Sequence, residues 1–147
     1  MPRTSAQKKT VNEPSYADFI ATLQLYSIGL AETNCSINRP EFWKKEKANI
    51  NYQLISKASD IGDEAFDAKS TLTLAVTGEK SKTQAVQITV AFDLHFHAKI
   101  ARKEFVEKFC ESEIRLIVWP YFREYVSNTI ARMHIPPVIL PISNKEE

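Results

Sequence analysis

From residue 86 to residue 96 every even position is apolar, Val86, Ile88, Val90, Phe92, Leu94 and Phe96, while Gln87, Thr89, Asp93, His95 and His97 hold odd ones. Successive side chains on a strand point to opposite faces, so this pattern predicts a strand with one buried face. Phe66 to Thr77 repeats it, with Ala68, Leu72, Leu74 and Val76 set against Lys69, Thr71, Thr73 and Thr77. Gly78-Glu79-Lys80-Ser81-Lys82 between the two reads as a hairpin turn. Asn49 to Ser56 is a further strand, joined to the Phe66 strand by the polar stretch Lys57 to Ala65 with Gly62. Upstream, Tyr16 to Leu25 predicts a short helix running into a strand, with Ser15 and Asp18 placed to cap it and Phe19, Ile20 and Leu23 on one face. Between Leu23 and Leu30 the apolar positions switch from odd (Leu23, Leu25) to even (Ile28, Leu30), and Gly29 stands at the far side of the switch. A β-bulge accounts for such a change of phase.

The period changes after residue 100. Arg102 to Cys110 predicts a small helix with Phe105, Val106 and Phe109 inward, and Glu113 to Met133 predicts a long one. Ile114, Ile117, Val118, Tyr121, Tyr125 and Met133 form one apolar stripe at helical spacing. Trp119, Phe122, Val126 and Ile130 form a second, leaving Arg115, Arg123, Glu124 and Arg132 a narrow polar strip. Such a helix calls for burial on two sides, by its own sheet and by another subunit, with roughly 1.5–3 kcal/mol per large side chain involved. Pro120 has no amide hydrogen to donate, so it begins the helix or kinks it. Beyond it His134-Ile135-Pro136-Pro137-Val138-Ile139-Leu140-Pro141 must be extended, because a residue before proline is pushed out of the helical region. The expected fold is α+β: a four-stranded antiparallel sheet covered on its apolar face by the long C-terminal helix, then a proline-rich extended tail. Residues 1–14 are expected to be a flexible arm, 15–142 one domain and 143–147 a short polar tail.

Composition narrows the functional classes. The 147 residues are 44% hydrophobic with only three glycines, which suits a single globular domain. Nineteen basic against eighteen acidic residues give a net charge of +1, too little to attract nucleic acid or acidic membranes by charge. The longest apolar run, Leu116 to Phe122, is far short of the ~20 residues that span a bilayer. The N-terminal MPRTSAQKKTVNEPSY has no apolar segment behind its charges, so it does not read as a secretory signal. Cys35 and Cys110 fit neither disulfide-rich nor zinc spacing, and read as thiols in a reducing cytoplasm.

Chemical motifs are few. His95 and His97 point to the same side of their strand, and Asp93 shares that side, a spacing that can hold a metal or simply face solvent; a further ligand is not evident. No nucleophile elbow, phosphate loop or zinc-protease motif occurs. Asp60, Asp63, Glu64 and Asp67 miss the spacing of a calcium loop and read as a solvated connection. Phe42 and Trp43 beside Lys44, Lys45 and Lys47 make an aromatic and basic patch, suited to a single strand of nucleic acid, to the rim of a groove, or to capping the sheet.

The C-terminal half carries a resemblance. Pro120, Tyr121, Arg123 and Glu124, followed by Pro136, Pro137, Leu140 and Pro141, resemble the PYxRE … FPPLxLxP pattern of the SecB family of bacterial export chaperones. Tyr26 within LQLYSIGLAE, and Phe42 with Ile50, Tyr52 and Leu54, are similar to that family's first two strands, extending the resemblance over about residues 20 to 142. It implies a cytoplasmic homo-oligomer, dimer or tetramer, that binds unfolded polypeptide clients without a reaction centre, metal or cofactor, and without specific nucleic acid or membrane insertion. Tyr26, Phe42, Trp43 and Tyr52 are the implied client contacts. Tyr121, Phe122, Tyr125, Val126 and Ile130 are the implied helix contacts, shared between core and subunit interface. Three features depart from the pattern. The chain stops at Glu147 where the family continues into another helix, it lacks the strong acidity with which the family docks on the SecA motor, and Gly29 stands where the first strand offers an aspartate. Trp43 also follows Phe42 directly, whereas the family spaces the two. A chaperone dedicated to one client such as an antitoxin is therefore an alternative to a role in export with SecA. Outside this class stand a metal-dependent module using His95 and His97, and a nucleic-acid binder using the lysines.

Overall fold

The computed structural model of the chain describes residues 13–39, 47–80, 82–135 and 140–141. Strands β1 (Gln24–Ile37), β2 (Ala48–Ser59), β3 (Ala65–Gly78) and β4 (Gln84–His97) follow helix α1 (Tyr16–Thr22) and precede α2 (Lys103–Glu111) and α3 (Ile114–Arg132). Every strand pair is antiparallel, and the order across the sheet is β1-β4-β3-β2. The two strands with the strongest alternation are thus the two central ones. Their register sets Phe66 opposite Phe96, Ala68 opposite Leu94, Leu72 opposite Val90 and Leu74 opposite Ile88, so one face is apolar from end to end and buried. Ser70 interrupts that row, and its hydroxyl is satisfied by Ser56 Oγ at 2.7 Å on the neighbouring strand.

In β1 the register against β4 breaks between Leu25 and Ser27 and again between Leu30 and Glu32. The first break is the bulge that the change of phase predicts, with Tyr26 the inserted residue; the second, at Ala31, leaves no such trace in the sequence. Gly29 is not required by the backbone there. It pairs with Asp93, and a side chain added to it would meet nothing within 4 Å.

Helix α1 opens on a capping box: Ser15 Oγ accepts from the Asp18 amide, and the Asp18 carboxylate accepts from the Ser15 amide. That backbone hydrogen bond, then the Ser15 hydroxyl, holds the Asp18 carboxyl below the ordinary carboxylate value. The cap turns Phe19 inward, onto Phe66 and Phe109 at ring distances of 6.0 and 6.2 Å. Ile20, expected on the same face, is exposed and Leu23 is half-buried, because a seven-residue helix presents only one turn to the core. Helix α2 buries Val106, Phe109 and Cys110, with Phe109 edge-on to Phe96 at 5.2 Å; Phe105 is half-buried beside Tyr16. The Tyr16 hydroxyl donates to the Glu113 carboxylate, tying the first helix to the start of the last.

Helix α3 spans the apolar face. Ile114, Val118, Phe122, Val126 and Ile130 form a single i, i+4 row that is fully buried, and Trp119 joins them. The two stripes of the sequence reading are thereby redrawn: members of each merge into one sheet-facing row. Ile117, Tyr125 and Met133 lie at its margin, and Tyr121 and Leu116 stand 39% and 75% exposed. Pro120 lies inside the helix on its exposed side, where the carbonyl that it leaves without a helical donor can be reached by water. Past the helix, Ile135 and Leu140 are buried and the Pro141 carbonyl accepts from Trp119 Nε1 at 2.8 Å. Pro136, Pro137, Val138 and Ile139, like the expected arm and polar tail, lie outside the described residues.

Candidate client-binding surface

One helix laid along a four-stranded sheet cannot cover its whole width, since strands stand about 4.8 Å apart and a helix is only ~10 Å across. Two apolar flanks remain. On the β1 side Leu30 is 52% exposed and pairs with Phe92, which in turn meets Tyr121 at 6.2 Å and Tyr125 at 6.4 Å. The Tyr125 hydroxyl is hydrogen-bonded to Thr33 Oγ1, which pins that ring beside β1. On the β2 side Ile50 is 41% exposed, two residues from Tyr52, whose ring lies 5.3 Å from Trp119. Both flanks adjoin an outer strand, because β1 pairs only with β4 and β2 only with β3. Each therefore combines exposed apolar side chains with a row of backbone donors and acceptors unclaimed by the sheet.

The residues expected to contact clients do not come together within one chain. Tyr52 belongs to the helix-covered face and sits against Trp119. Tyr26, 66% exposed, is turned by its bulge to the opposite face, where it stacks on His97 at 4.1 Å. The two tyrosines lie on opposite faces and on outer strands about 14 Å apart. Phe42 and Trp43 lie outside the described residues. Of the implied helix contacts, Phe122, Val126 and Ile130 are buried against the chain's own sheet, which corrects any assignment of these three to a subunit interface. Tyr121 and Tyr125 keep surface to offer. Leu30 and Ile50, which complete the flanks, were readable only as strand residues, since their exposure depends on where α3 runs.

The open face of the sheet is polar. Its notable feature is a chain of contacts across three strands: Asp67 Oδ1 to His95 Nδ1 at 2.5 Å, His95 Nε2 to His97 Nε2 at 3.0 Å, and His97 stacked under Tyr26. Among the described residues no group of three histidine, cysteine or acidic side chains is placed to hold a metal together, and Asp93 does not join the pair. No helix among them is long and apolar enough to cross a membrane. Cys35 is half-buried and Cys110 is buried; burial pushes the Cys110 thiol up to about 11, so it stays protonated and unreactive at neutral pH.

An open antiparallel sheet with a helix on one face, apolar flanks and free outer edges defines a binding protein of the chaperone type, not a scaffold built around a pocket. The family comparison agrees: the model of SecB, preprotein translocase subunit, matches residues 33–144, and the chain belongs to the SecB family. Among solved structures the chain is similar to a SecB-like chaperone of Mycobacterium tuberculosis in complex with a ChAD peptide from the HigA1 antitoxin. The TM-score is 0.73 at 20% identity, covering 86% of this chain and 94% of that one. A Streptococcus agalactiae protein of unknown function is more distant, with TM-score 0.46 and 11% identity over 82% of this chain and 97% of that one. A search of curated protein sequences returned no match.

Proposed function

We propose that this chain is a molecular chaperone that binds unfolded or non-native polypeptides and keeps them soluble and competent for export. The observation that carries the reading is the pair of apolar flanks, each beside an unpaired strand edge, in a chain of the SecB family. An unfolded client offers apolar side chains and unpaired backbone but no fixed shape; a flank next to a strand edge can accept both kinds of group without reading a sequence. Many modest contacts then hold the client, each exchanging quickly, and no reaction centre, metal or cofactor takes part. Leu30, Tyr121 and Tyr125 on one side, and Ile50 and Tyr52 on the other, are the proposed contacts within one chain, with Tyr26, Phe42 and Trp43 as further candidates. Tyr121, Tyr125 and the exposed Leu116 are also the side chains through which α3 would meet a second copy in a cytoplasmic dimer or tetramer.

A second reading is a chaperone dedicated to one client. It is favoured by the near-balanced charge of this chain, which offers little acidic surface to the SecA motor, and by the antitoxin peptide held by the Mycobacterium relative. Calorimetric titration with a permanently unfolded polypeptide, against the same polypeptide natively folded, tests the general reading. Selective binding of the unfolded form supports it, and binding of neither form refutes it and leaves the dedicated client as the reading to pursue.

A further inference from the structure

The open face of the sheet carries a side-chain arrangement that client binding does not use. His95 and His97 are both half-buried and lie on the same side of β4, and their Nε2 atoms approach to 3.0 Å. Asp67, opposite His95 on β3, accepts a hydrogen bond from His95 Nδ1 at 2.5 Å. An ionised carboxylate can only accept, so the proton of that bond sits on Nδ1 and His95 Nε2 presents its lone pair. A carboxylate behind one ring nitrogen is the usual device that fixes a ligating imidazole and raises its basicity. The plane of His97 is held in turn by Tyr26, stacked at 4.1 Å and 22°.

We propose that His95 and His97 form a bis-imidazole site for a divalent transition metal of tetragonal preference, Cu(II) first and Ni(II) after it. The distance decides the geometry. An ion about 2.0–2.1 Å from both nitrogens subtends roughly 90–97° between them at their 3.0 Å separation, whereas a tetrahedral zinc site asks for ~109°. A near-right angle is the cis arrangement of a square or tetragonal complex, which nitrogen and oxygen donors give to Cu(II) and Ni(II). In the metal-free chain His97 Nε2–H donates to His95 Nε2. Binding moves the His97 proton to Nδ1 through solvent and tilts the rings to aim both lone pairs at the ion. The two imidazoles are the protein's whole donor set, and water fills the remaining positions. A hollow of about 350 Å³ beside His95, lined in part by Ser27, Asp67 and Asp93, leaves room for it.

The test is titration of the full chain with Cu(II) in a non-chelating buffer, read by electron paramagnetic resonance. The expected result is one equivalent bound with the hyperfine pattern of two imidazole nitrogens. His95→Asn and His97→Asn should each lower the affinity at least tenfold, and Asp67→Asn by ~10–100-fold through the lost orienting bond. His134→Asn, at the remaining histidine, should leave it unchanged. Binding should also fade as pH drops through the ordinary histidine range near 6.5, because protons compete for the same lone pairs. Equal binding by the double variant His95→Asn/His97→Asn, an ion held by the N-terminal amine only, would overturn the proposal. Zinc binding tighter than copper would overturn its geometry.

Discussion

Phe122 decides whether the long helix has been oriented correctly. It is fully buried in the single chain and stands edge-on to Phe92 at 5.1 Å, in the i, i+4 row that faces the sheet. Phe122→Ala removes that ring from a site that neighbours cannot refill, a change that costs about 3–5 kcal/mol including the aromatic pair. Total stabilities are about 5–15 kcal/mol, so the variant should fold but sit close to the edge. With a urea slope of ~2 kcal/mol per molar, the unfolding midpoint should fall by about 2 M. Tyr121→Ala, one residue away and 39% exposed, should move it by only a few tenths. Urea titrations followed by circular dichroism measure both. Concentration dependence separates core from interface: a loss within the chain's own core is the same at low and high protein concentration, whereas a lost subunit contact weakens as protein is added. A Phe122→Ala midpoint within a few tenths of the parent, or a larger loss at Tyr121, would refute the placement of α3.

Two further outcomes follow from the same contacts. Trp119→Phe removes the indole donor to the Pro141 carbonyl and should cost about 0.5–1.5 kcal/mol; an unchanged urea midpoint would show that this bond does not hold the tail. In the native chain a thiol reagent at pH 8 should modify half-buried Cys35 well before Cys110, which should react only on unfolding. The Cys110 pKa is raised by folding, from 9.0 to about 11. Its contribution to stability is therefore complete below about pH 9 and is lost as the pH rises through 11, because the unfolded thiol ionises first. Early modification of Cys110, or a stability flat across that window, would contradict its burial.

Much of the fold was legible along the chain. The parity of side chains on a strand is a local property, so the apolar sets of β3 and β4, the turn at Gly78 and the change of phase around Tyr26 could be read without knowing any partner. The same holds for the α1 cap, since Ser15 and Asp18 satisfy amides within one turn. The proline motif near the C-terminus was specific enough to point to the SecB family, over a span that overlaps residues 33–144.

What the chain did not reveal depends on contacts between residues far apart in sequence. Pairing of β1 with β4 makes β1 and β2 the outer strands, and nothing local distinguishes that order from another. Helix α3 is apolar round most of its circumference, so its sequence could not say which row faces the sheet; docking chose Phe122, Val126 and Ile130 for the core and left Tyr121 and Leu116 outside. The bulge at Tyr26 put it on the face opposite Tyr52, because one inserted residue inverts the side on which a side chain emerges. The contact between His95 and Asp67, twenty-eight residues apart, arises only from the register of β3 against β4. Sequence determined the elements and their buried parity through short-range sterics and periodicity. Tertiary packing decided which apolar residues stay exposed, since exposure is a property of what the rest of the chain leaves uncovered.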